Sequence, residues 1–450
     1  MRLKSVWIRH IAFPMMEKIK GNQIRRLLRS LEQSAKLPEK ELLALQADAL
    51  RKLLLHTIDH VPYYKPYAHL RDLIEQDPGA ALQQFPVLAK ETVRERFDEL
   101  IADDVDKSTL ILNRTGGSTG QPTMFYMDRF TVEHYEAARW RGLGWWGIQI
   151  GDPCVMVWGS PIELSRQQLK RQRWKDRLLK NQVFIPSFDL RKEKISEYLD
   201  LIDSYKPVYL FGWASALALF AEFMISHKRT LRHPLTAVLN TAETLYPHDR
   251  ELIAKAFGCP VINEYGARDG GLLAYECPQG GMHLNIETAW IEAVDMSTKE
   301  PVATGEKGLI VVTDLHNFAM PRLRYLLGDV ISLSDAHCAC GRALPLIGSL
   351  DGRENDTFIT ADGAYINGQF FTNLARILPT VRQFQVIQKS RTEVVLRLLQ
   401  HEGLAQADID AFCEKITERM GTVHIKVELV PEIARQGSGK LRTAIREFAI

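Results

Sequence analysis

The chain has 450 residues, 46% of them hydrophobic and 25% charged, the composition of an ordinary soluble globular protein with length for more than one domain. A formal net charge of +2 excludes a global field that would recruit nucleic acid or acidic partners. Six cysteines are too few for a disulfide scaffold and imply a reduced, cytosolic setting.

At the start, Pro14 and Glu17 interrupt the only apolar run and no small-residue cleavage pattern follows, so no signal peptide is read there. Residues 1–30 hold eight Lys/Arg against Glu17 alone, and Ser165–Lys180 holds seven against Asp176 alone. Both segments read as solvated helix faces; docking on anionic lipid, a polyanion or a phosphorylated cofactor is the alternative. Residues 20–75 read as helices, with leucine recurring at helical spacing in "ELLALQADALRKLLLHTI" and a break at Pro62 in "HVPYY".

From 110 to 330, short apolar runs alternate with helical patterns. "TLILNRT", "DPCVMVWG", "PVYLFGW", "TAVLNTAE" and "PVINEYG" predict buried strands of a largely parallel sheet. The most apolar window, Val208–Ile225, carries Gly212, Ser215 and Glu222, which predicts a buried strand–turn–helix instead of a membrane span. "HLNIETAWIEAV" and "GLIVVTDL" add strands over 283–335. Beyond a Gly- and polar-rich joint at Gly352–Asp356 come the alternating strands "RQFQVIQKSRTEVVLRLL" and "VHIKVELV", with the helical "ADIDAFCEKITERM" between them. The fold class is thus α/β. A large multi-layer N-terminal domain over 1–352, with mostly parallel sheets and a helical start over 1–75, is followed by a small α+β C-terminal domain over 353–450.

Chemistry enters at "NRTGGSTGQPTMFYMDRF", Asn113–Phe130. A phosphate loop of the G-x-x-x-x-G-K-[ST] kind needs a lysine after its second glycine and a helix starting there. Here Gln121 and Pro122 follow Gly120, and the next residues alternate with period two. The backbone N–H groups of Gly116, Gly117 and Gly120, with the hydroxyls of Thr115, Ser118 and Thr119, can still line a phosphate between two strands. A hairpin turn rich in small residues is the alternative. Three further stretches matter by their order and spacing: "NEYGARDGG" (Asn263–Gly271), "RYLLGDV" (Arg324–Val330) and "GSGKLR" (Gly437–Arg442). Taken singly, each is an ordinary turn or an ordinary solvent-facing lysine.

Together they resemble the adenylate-forming superfamily of acyl-CoA synthetases, and within it the phenylacetate–CoA ligase branch with its CapK-like relatives. The resemblance runs from "DHVPYYKPY" through "TGGSTGQPT", "GIQIGD", "YGARDGGLLAYEC" and "RYLLGDV" to "GSGKLR". It implies an AMP-forming acid–thiol ligase: a carboxylic acid is joined to AMP with release of pyrophosphate, then usually passed to a thiol such as CoA. Bringing two anions together makes catalysis a matter of positioning and charge neutralisation. By resemblance, Thr115–Gly120 wrap the β- and γ-phosphates of ATP. Tyr265, followed by Gly266, stacks on adenine near Thr241, Ala242 and Glu243. Asp329 takes the ribose hydroxyls beside Arg353, and Lys440 bridges carboxylate and phosphate. Asn355 or Asp356 is the hinge of the small domain. Trp158, Phe211, Gly212, Trp213 and Ala214 lie where the branch shapes its acid pocket, which hints at an apolar or aromatic acid.

This chain departs from the family in places. Thr123 stands where many members carry a base, which the phenylacetate branch also lacks. Asp269 replaces the usual glutamate that helps hold Mg²⁺; it keeps the charge with a shorter reach. Arg268 replaces Ser/Thr, as in CapK-like relatives. Two alternatives accompany the CoA ligase: transfer of the acyl group to an amine or sugar hydroxyl in surface-polysaccharide biosynthesis, and a non-catalytic nucleotide-binding relative. A covalent nucleotidyltransferase is excluded, because Ser349 occupies the lysine position of K-x-D-G. Cys277 and His283 flank one Gly-rich turn, and Cys338 and Cys340 lie on a second. Three thiols and an imidazole form a common structural zinc set, although the spacing is not C-x-x-C and four unrelated residues are the alternative. The phenylacetate branch is similar here, with a set that binds zinc in some members. The expected partners are a small carboxylic acid and its acceptor, in a monomer or homodimer, with no nucleic acid and at most weak contact with a membrane surface.

Overall fold

The computed structural model describes residues 2–115, 123–158, 176–187, 192–353, 357–362, 383–433 and 442–448, together with 365–368, 370, 371, 374, 375, 378, 380 and 381. Its N-terminal part is helical. Helix α1 (Arg2–Trp7) runs through a π-helical turn (Ile8–Ala12) into α2 (Phe13–Lys20). Two longer helices follow, α3 (Ile24–Ser34) and α4 (Glu39–His60). Leu42, Leu50, Leu53, Leu54 and Ile58 of α4 recur at helical spacing and are buried, and the helix stops before Pro62. After short helical turns between residues 62 and 109, the longer later helices are α5 (Arg129–Trp145), α6 (Lys192–Tyr205), α7 (Ala214–Ser226), α8 (Pro247–Phe257) and α9 (Gln406–Met420). Local chemistry sets their ends. The Asp128 carboxylate caps α5 by accepting from the Thr131 amide at 2.7 Å, and α8 opens on Pro247 and closes on Gly258 in the left-handed region.

Strands β1 (Ile111–Arg114) and β2 (Met124–Met127) form a separate antiparallel hairpin. The main sheet has eleven strands. Its first half contains β3 (Cys154–Trp158), β4 (Gln182–Pro186), β5 (Tyr209–Gly212), β6 (Ala237–Asn240) and β7 (Val261–Ala267), paired in parallel in the order β4-β3-β5-β6-β7. Every residue of β5 and β6 is buried, because helices cover both faces. Leu210, Val238, Leu217 and Phe220 pack in one core with α7, and Tyr209, Ala237 and Leu239 face α5 on the other side. On that side Gly142 of α5 sits so close that a Cβ would lie 2.3 Å from the Tyr275 ring.

The second half contains β8 (Gly271–Glu276), β9 (Met282–Leu284), β10 (Ala289–Val294), β11 (Lys307–Asp314), β12 (Tyr325–Ser334) and β13 (Leu346–Arg353). Here the order is β7-β8-β9-β13-β12-β11-β10 and every pairing is antiparallel. The expectation of a largely parallel sheet holds for the β3–β7 half. After Ala267 the connections are too short for crossover helices, so the chain turns back on itself. The largest core lies under this half and gathers Tyr64, Phe85, Phe125, Ile310, Tyr325 and Ile331 with the α4 leucines.

Two small sheets follow: the pair β14 (Thr357–Ile359) and β15 (Tyr365–Asn367), then β16 (Phe384–Ser390), β17 (Glu393–Leu399), β18 (His424–Val430) and β19 (Ala444–Arg446) in the order β18-β17-β16-β19. Phe412 and Ile416 of α9 pack on Phe384, Val386 and Leu396, giving this α+β unit its own core. Val208–Ile225 is the strand β5 followed by helix α7, as its glycine and polar residues predict. Among the described residues no helix is long and apolar enough to cross a membrane.

Candidate active site

The hairpin β1/β2 carries the Gly-rich loop. Arg114 and Met124 are partners in register, and burial along β2 alternates as its period-two sequence predicts. At the loop base the Thr115 amide donates to the Thr123 carbonyl at 2.9 Å, and the Thr123 amide donates to the Thr115 hydroxyl at 2.9 Å. Thr115 is thus a clamp where the loop closes. Gly116, Gly117, Ser118, Thr119 and Gly120 lie outside the described residues.

Beside this hairpin, Tyr265 and Gly266 lie near the end of β7. A bulge falls between these two residues, and a Cβ on Gly266 would meet the Gly271 carbonyl at 2.8 Å, so only glycine fits. The Tyr265 hydroxyl donates to the Asp329 carboxylate at 2.8 Å, and both residues are buried. Asp329 sits on β12 directly opposite Arg353 on β13. Sequence-distant positions expected around a nucleoside therefore converge across three strands; for Arg353 it is the backbone register that is described.

Asp269 lies in the turn between β7 and β8. One of its carboxylate oxygens accepts from the Tyr325 hydroxyl at 2.8 Å, and its backbone carbonyl accepts from Arg322 at 3.0 Å. Arg322 is 2% exposed, its guanidinium lies 4.6 Å from the Phe125 ring centre, and its Nε and Nη1 have no hydrogen-bond partner among the described residues. Next to it, the Tyr135 hydroxyl donates to the buried Asp314 carboxylate, whose pKa is raised by burial.

Thr241, Ala242 and Glu243 follow β6. The Thr241 hydroxyl donates to Glu264 at 3.0 Å, and Arg139 forms a two-pronged pair with the same carboxylate at 2.9 and 3.0 Å. Ala242 adopts a left-handed conformation, φ 64°. The Glu243 carboxylate accepts from the Ser215 amide at 2.9 Å, in the first turn of α7. The expected pocket aromatics do meet: the Trp158 ring lies 5.5 Å from Phe211 and 5.4 Å from Trp213, and Arg139 stands 5.5 Å from Phe211. Gly212 and Ala214 are buried in the same strand–turn–helix corner. Lys440, Asn355 and Asp356 lie outside the described residues.

Sequence reasoning did not find Arg139, Glu264, Arg322, Tyr325, Tyr135 or Asp314. Glu264 falls inside "NEYGARDGG" and Tyr325 inside "RYLLGDV", but neither stretch marks these residues as part of the site, and the other four lie in no quoted motif of the site.

Elsewhere, the four soft ligands come together. The Cys277 and Cys338 sulfurs are 3.5 Å apart, Cys340 Sγ is 3.2 Å from His283 Nε2, and all four donor atoms lie within 4.8 Å of one another. His283 Nδ1 is 3.0 Å from the Leu344 carbonyl; a carbonyl only accepts, so Nδ1 carries the proton and Nε2 presents its lone pair to the thiols. Burial pushes the Cys277 thiol up to about 11 when no metal is present. Tetrahedral zinc–thiolate bonds of about 2.3 Å need sulfurs slightly further apart than this, so the set fits zinc with small adjustments.

The chain is similar to several known proteins. The CapK C-terminal domain family matches residues 358–447. The chain is 25% identical over 373 residues to "Protein CapK" of Staphylococcus aureus, covering 82% of this chain and 81% of that protein. It is 24% identical over 443 residues to a phenylacetate-coenzyme A ligase of Thermus thermophilus, covering 91% and 97%. A solved 2-hydroxyisobutyryl-CoA ligase, in the postadenylation state with an acyl-AMP, has a similar fold with a TM-score of 0.72 at 20% identity, covering 92% of each chain.

Proposed function

We propose, from its likeness to Protein CapK and the phenylacetate–CoA ligases, that this chain activates a carboxylic acid with ATP and transfers the acyl group to a thiol such as CoA. In the first step an oxygen of the acid attacks the α-phosphorus. The bond to the β-phosphate breaks, and acyl-AMP and pyrophosphate form. In the second, the thiolate attacks the acyl carbon and AMP leaves.

The observation that carries this reading is the 2.8 Å bond from Tyr265 to Asp329. It holds the aromatic face and the carboxylate as one unit, the pair of groups a nucleoside needs. Tyr265 gives adenine a stacking surface beside Thr241, Ala242 and Gly266, and Asp329, with Arg353 opposite, receives the ribose hydroxyls. Glu243 acts by fixing the turn after β6 to α7. Thr115 closes the loop whose Gly116, Gly117, Ser118, Thr119 and Gly120 take the terminal phosphates. Asp269 would hold Mg²⁺, which when bound neutralises charge on the phosphates; Tyr325 fixes the carboxylate rotamer for that task. Lys440 places a compact cation between the two reacting anions. The acid pocket is the Trp158, Phe211, Trp213 cluster, which suits an apolar or aromatic acid. The unit over 353–450 turns about Asn355 or Asp356 between the two steps. Cys277, His283, Cys338 and Cys340 would hold a structural Zn²⁺ that ties the turn after β8 to the turn after β12 and so braces the strands around Tyr265 and Asp329.

A second reading shares the first step and differs in the acceptor. The likeness to Protein CapK and to the CapK C-terminal domain favours an amine or sugar hydroxyl used in surface-polysaccharide synthesis. Mass spectrometry of products formed from ATP, a panel of acids, and either CoA or amines and amino sugars separates the two. Acyl-CoA is the expected product; an N- or O-acyl sugar with no acyl-CoA would establish the second reading.

A further inference from the structure

The helical stretch Arg2–Lys20 has a buried face and an apolar outward face. Ser5, Ile8, Ala12 and Glu17 are buried against the body of the protein, and a Cβ on Gly151 would come within 2.8 Å of the Ser5 carbonyl. Arg9 fixes the seat, bonding the Ile150 carbonyl at 3.0 Å and Asp152 at 3.0 Å. Glu17, which pairs with Arg25, also receives the Arg25 amide at 2.8 Å. The helix is therefore anchored, and its other face cannot turn inward to hide.

That other face carries Leu3, Trp7, Ile11, Met15 and Ile19, spaced four residues apart. They are 87%, 45%, 53%, 59% and 75% exposed. In a pure α-helix such a repeat drifts by about 40° at each step. The π-helical turn Ile8–Ala12 underwinds the helix near its middle, which counters that drift and helps keep the five side chains on one line. Exposed large apolar side chains scattered singly need no explanation, but five in a row on one anchored helix do.

The charges around the stripe identify its occupant. Lys18 and Lys20 are exposed beside Ile19. The only acidic residue in 1–30 is Glu17, which is turned inward and ion-paired, so the outward face presents no carboxylate. The second basic segment meets the first here: Lys4 Nζ donates to the Arg177 carbonyl at 2.8 Å. Among the described residues, Lys4 and Arg177 are the charged groups lining a groove of about 280 Å³ with Asn181, Ser204 and Tyr205, and no acid lines it. A second copy of the chain would bring cation against cation. A surface both apolar and negative would satisfy the whole face.

We propose that Arg2–Lys20 is an interfacial helix that seats this protein on an anionic lipid bilayer. Leu3, Trp7, Ile11, Met15 and Ile19 enter the headgroup–acyl boundary, and Lys4, Lys18, Lys20 and Arg177 meet the headgroup phosphates. The helix lies in the plane of the surface and does not span, since Arg9, Glu17 and Pro14 interrupt it. The site is independent of the nucleotide cleft.

The test is flotation of the full chain with vesicles of phosphatidylglycerol and phosphatidylcholine, against vesicles of phosphatidylcholine alone. Native protein is expected to float with the anionic vesicles, less so as salt rises, and not with neutral ones. Ile11→Glu with Ile19→Glu is expected to weaken binding about tenfold or more, since both the apolar contact and the charge complementarity are lost. Lys18→Glu with Lys20→Glu should weaken it selectively at low salt. All four positions are solvent-facing, so circular dichroism and the melting temperature should stay as in the native chain. Native protein that does not float with anionic vesicles, that binds neutral vesicles equally well, or that keeps its affinity in the Ile11/Ile19 variant would overturn the proposal. Concentration-dependent dimerisation abolished by those substitutions, without vesicle binding, would assign the stripe to a second copy instead.

Discussion

The hydroxyl of Tyr265 and the carboxylate of Asp329, 64 residues apart in sequence, are joined by a 2.8 Å hydrogen bond between two buried side chains. Each side chain positions the other, so substitutions at the two are coupled, and each is chosen to remove a different proposed contact with the nucleotide. Asp329→Ala removes the proposed ribose acceptor and should weaken ATP binding about 10- to 100-fold, the scale of a lost hydrogen bond to a charged group. Tyr265→Phe keeps the stacking face and should cost less than about tenfold. Calorimetric titration with ATP checks both; unaltered binding by Asp329→Ala removes the ribose role.

Asp269 is one of the positions where this chain departs from the pattern of the family it resembles. Asp269→Asn keeps an acceptor for Tyr325 and removes the charge that a divalent cation needs. The Mg²⁺ concentration for half-maximal activity should rise about tenfold or more, while the fold is retained. An unchanged Mg²⁺ dependence would take Asp269 out of the metal site.

The thiol cluster predicts one zinc per chain in purified protein. Cys338→Ser should lower metal content and melting temperature together, because a buried imidazole and two thiols lose their common partner. Acid activation in surviving folded protein should change little, since among the described residues the four ligands bond to none of the proposed nucleotide-site side chains. Well under one equivalent of zinc by elemental analysis would refute the assignment.

His134 and His316 stack with ring centres 3.6 Å apart, and burial lowers both to about 4. In the unfolded chain they titrate near 6.5. Between those values the unfolded state binds protons that the folded state does not, so acidification favours unfolding. Stability should be full above pH ~6.5 and fall as pH drops toward 4, by on the order of 3 kcal/mol for each histidine at the limit. Denaturant titrations at pH 7 and pH 5 read this directly. His134→Gln, which removes one titrating ring, should flatten the slope; an unchanged slope would assign the acid sensitivity elsewhere.

Much of this architecture is legible because it is local. Leucine spacing marks α4, Pro62 marks its end, alternation marks β2, and Gly212 marks the corner between β5 and α7. The site is legible only where residues sit inside ordered stretches, as Tyr265, Asp269 and Asp329 do. Arg322 looks like any surface arginine in "MPRLRY" until the structure buries it under Phe125 and against Asp269. Arg139 and Glu264 form their two-pronged pair across 125 residues, and no spacing rule covers that distance. Glu243 belongs to a stretch implied to bind nucleotide, yet its carboxylate is engaged by the start of α7. The antiparallel half of the sheet was obscured because buried strands read as apolar runs whichever way they pair.

The most direct measurement is acid-dependent exchange of labelled pyrophosphate into ATP, made on the native chain and on Lys440→Ala across aryl, fatty and sugar acids. Exchange requires acyl-AMP to form reversibly and is indifferent to the acceptor. The account predicts exchange with at least one apolar or aromatic acid, falling about a hundredfold or more in Lys440→Ala while ATP binding persists, because the cation between two reacting anions is gone. Folded native protein that exchanges with none of the acids, or a Lys440→Ala variant that exchanges as well as the native chain, would contradict it.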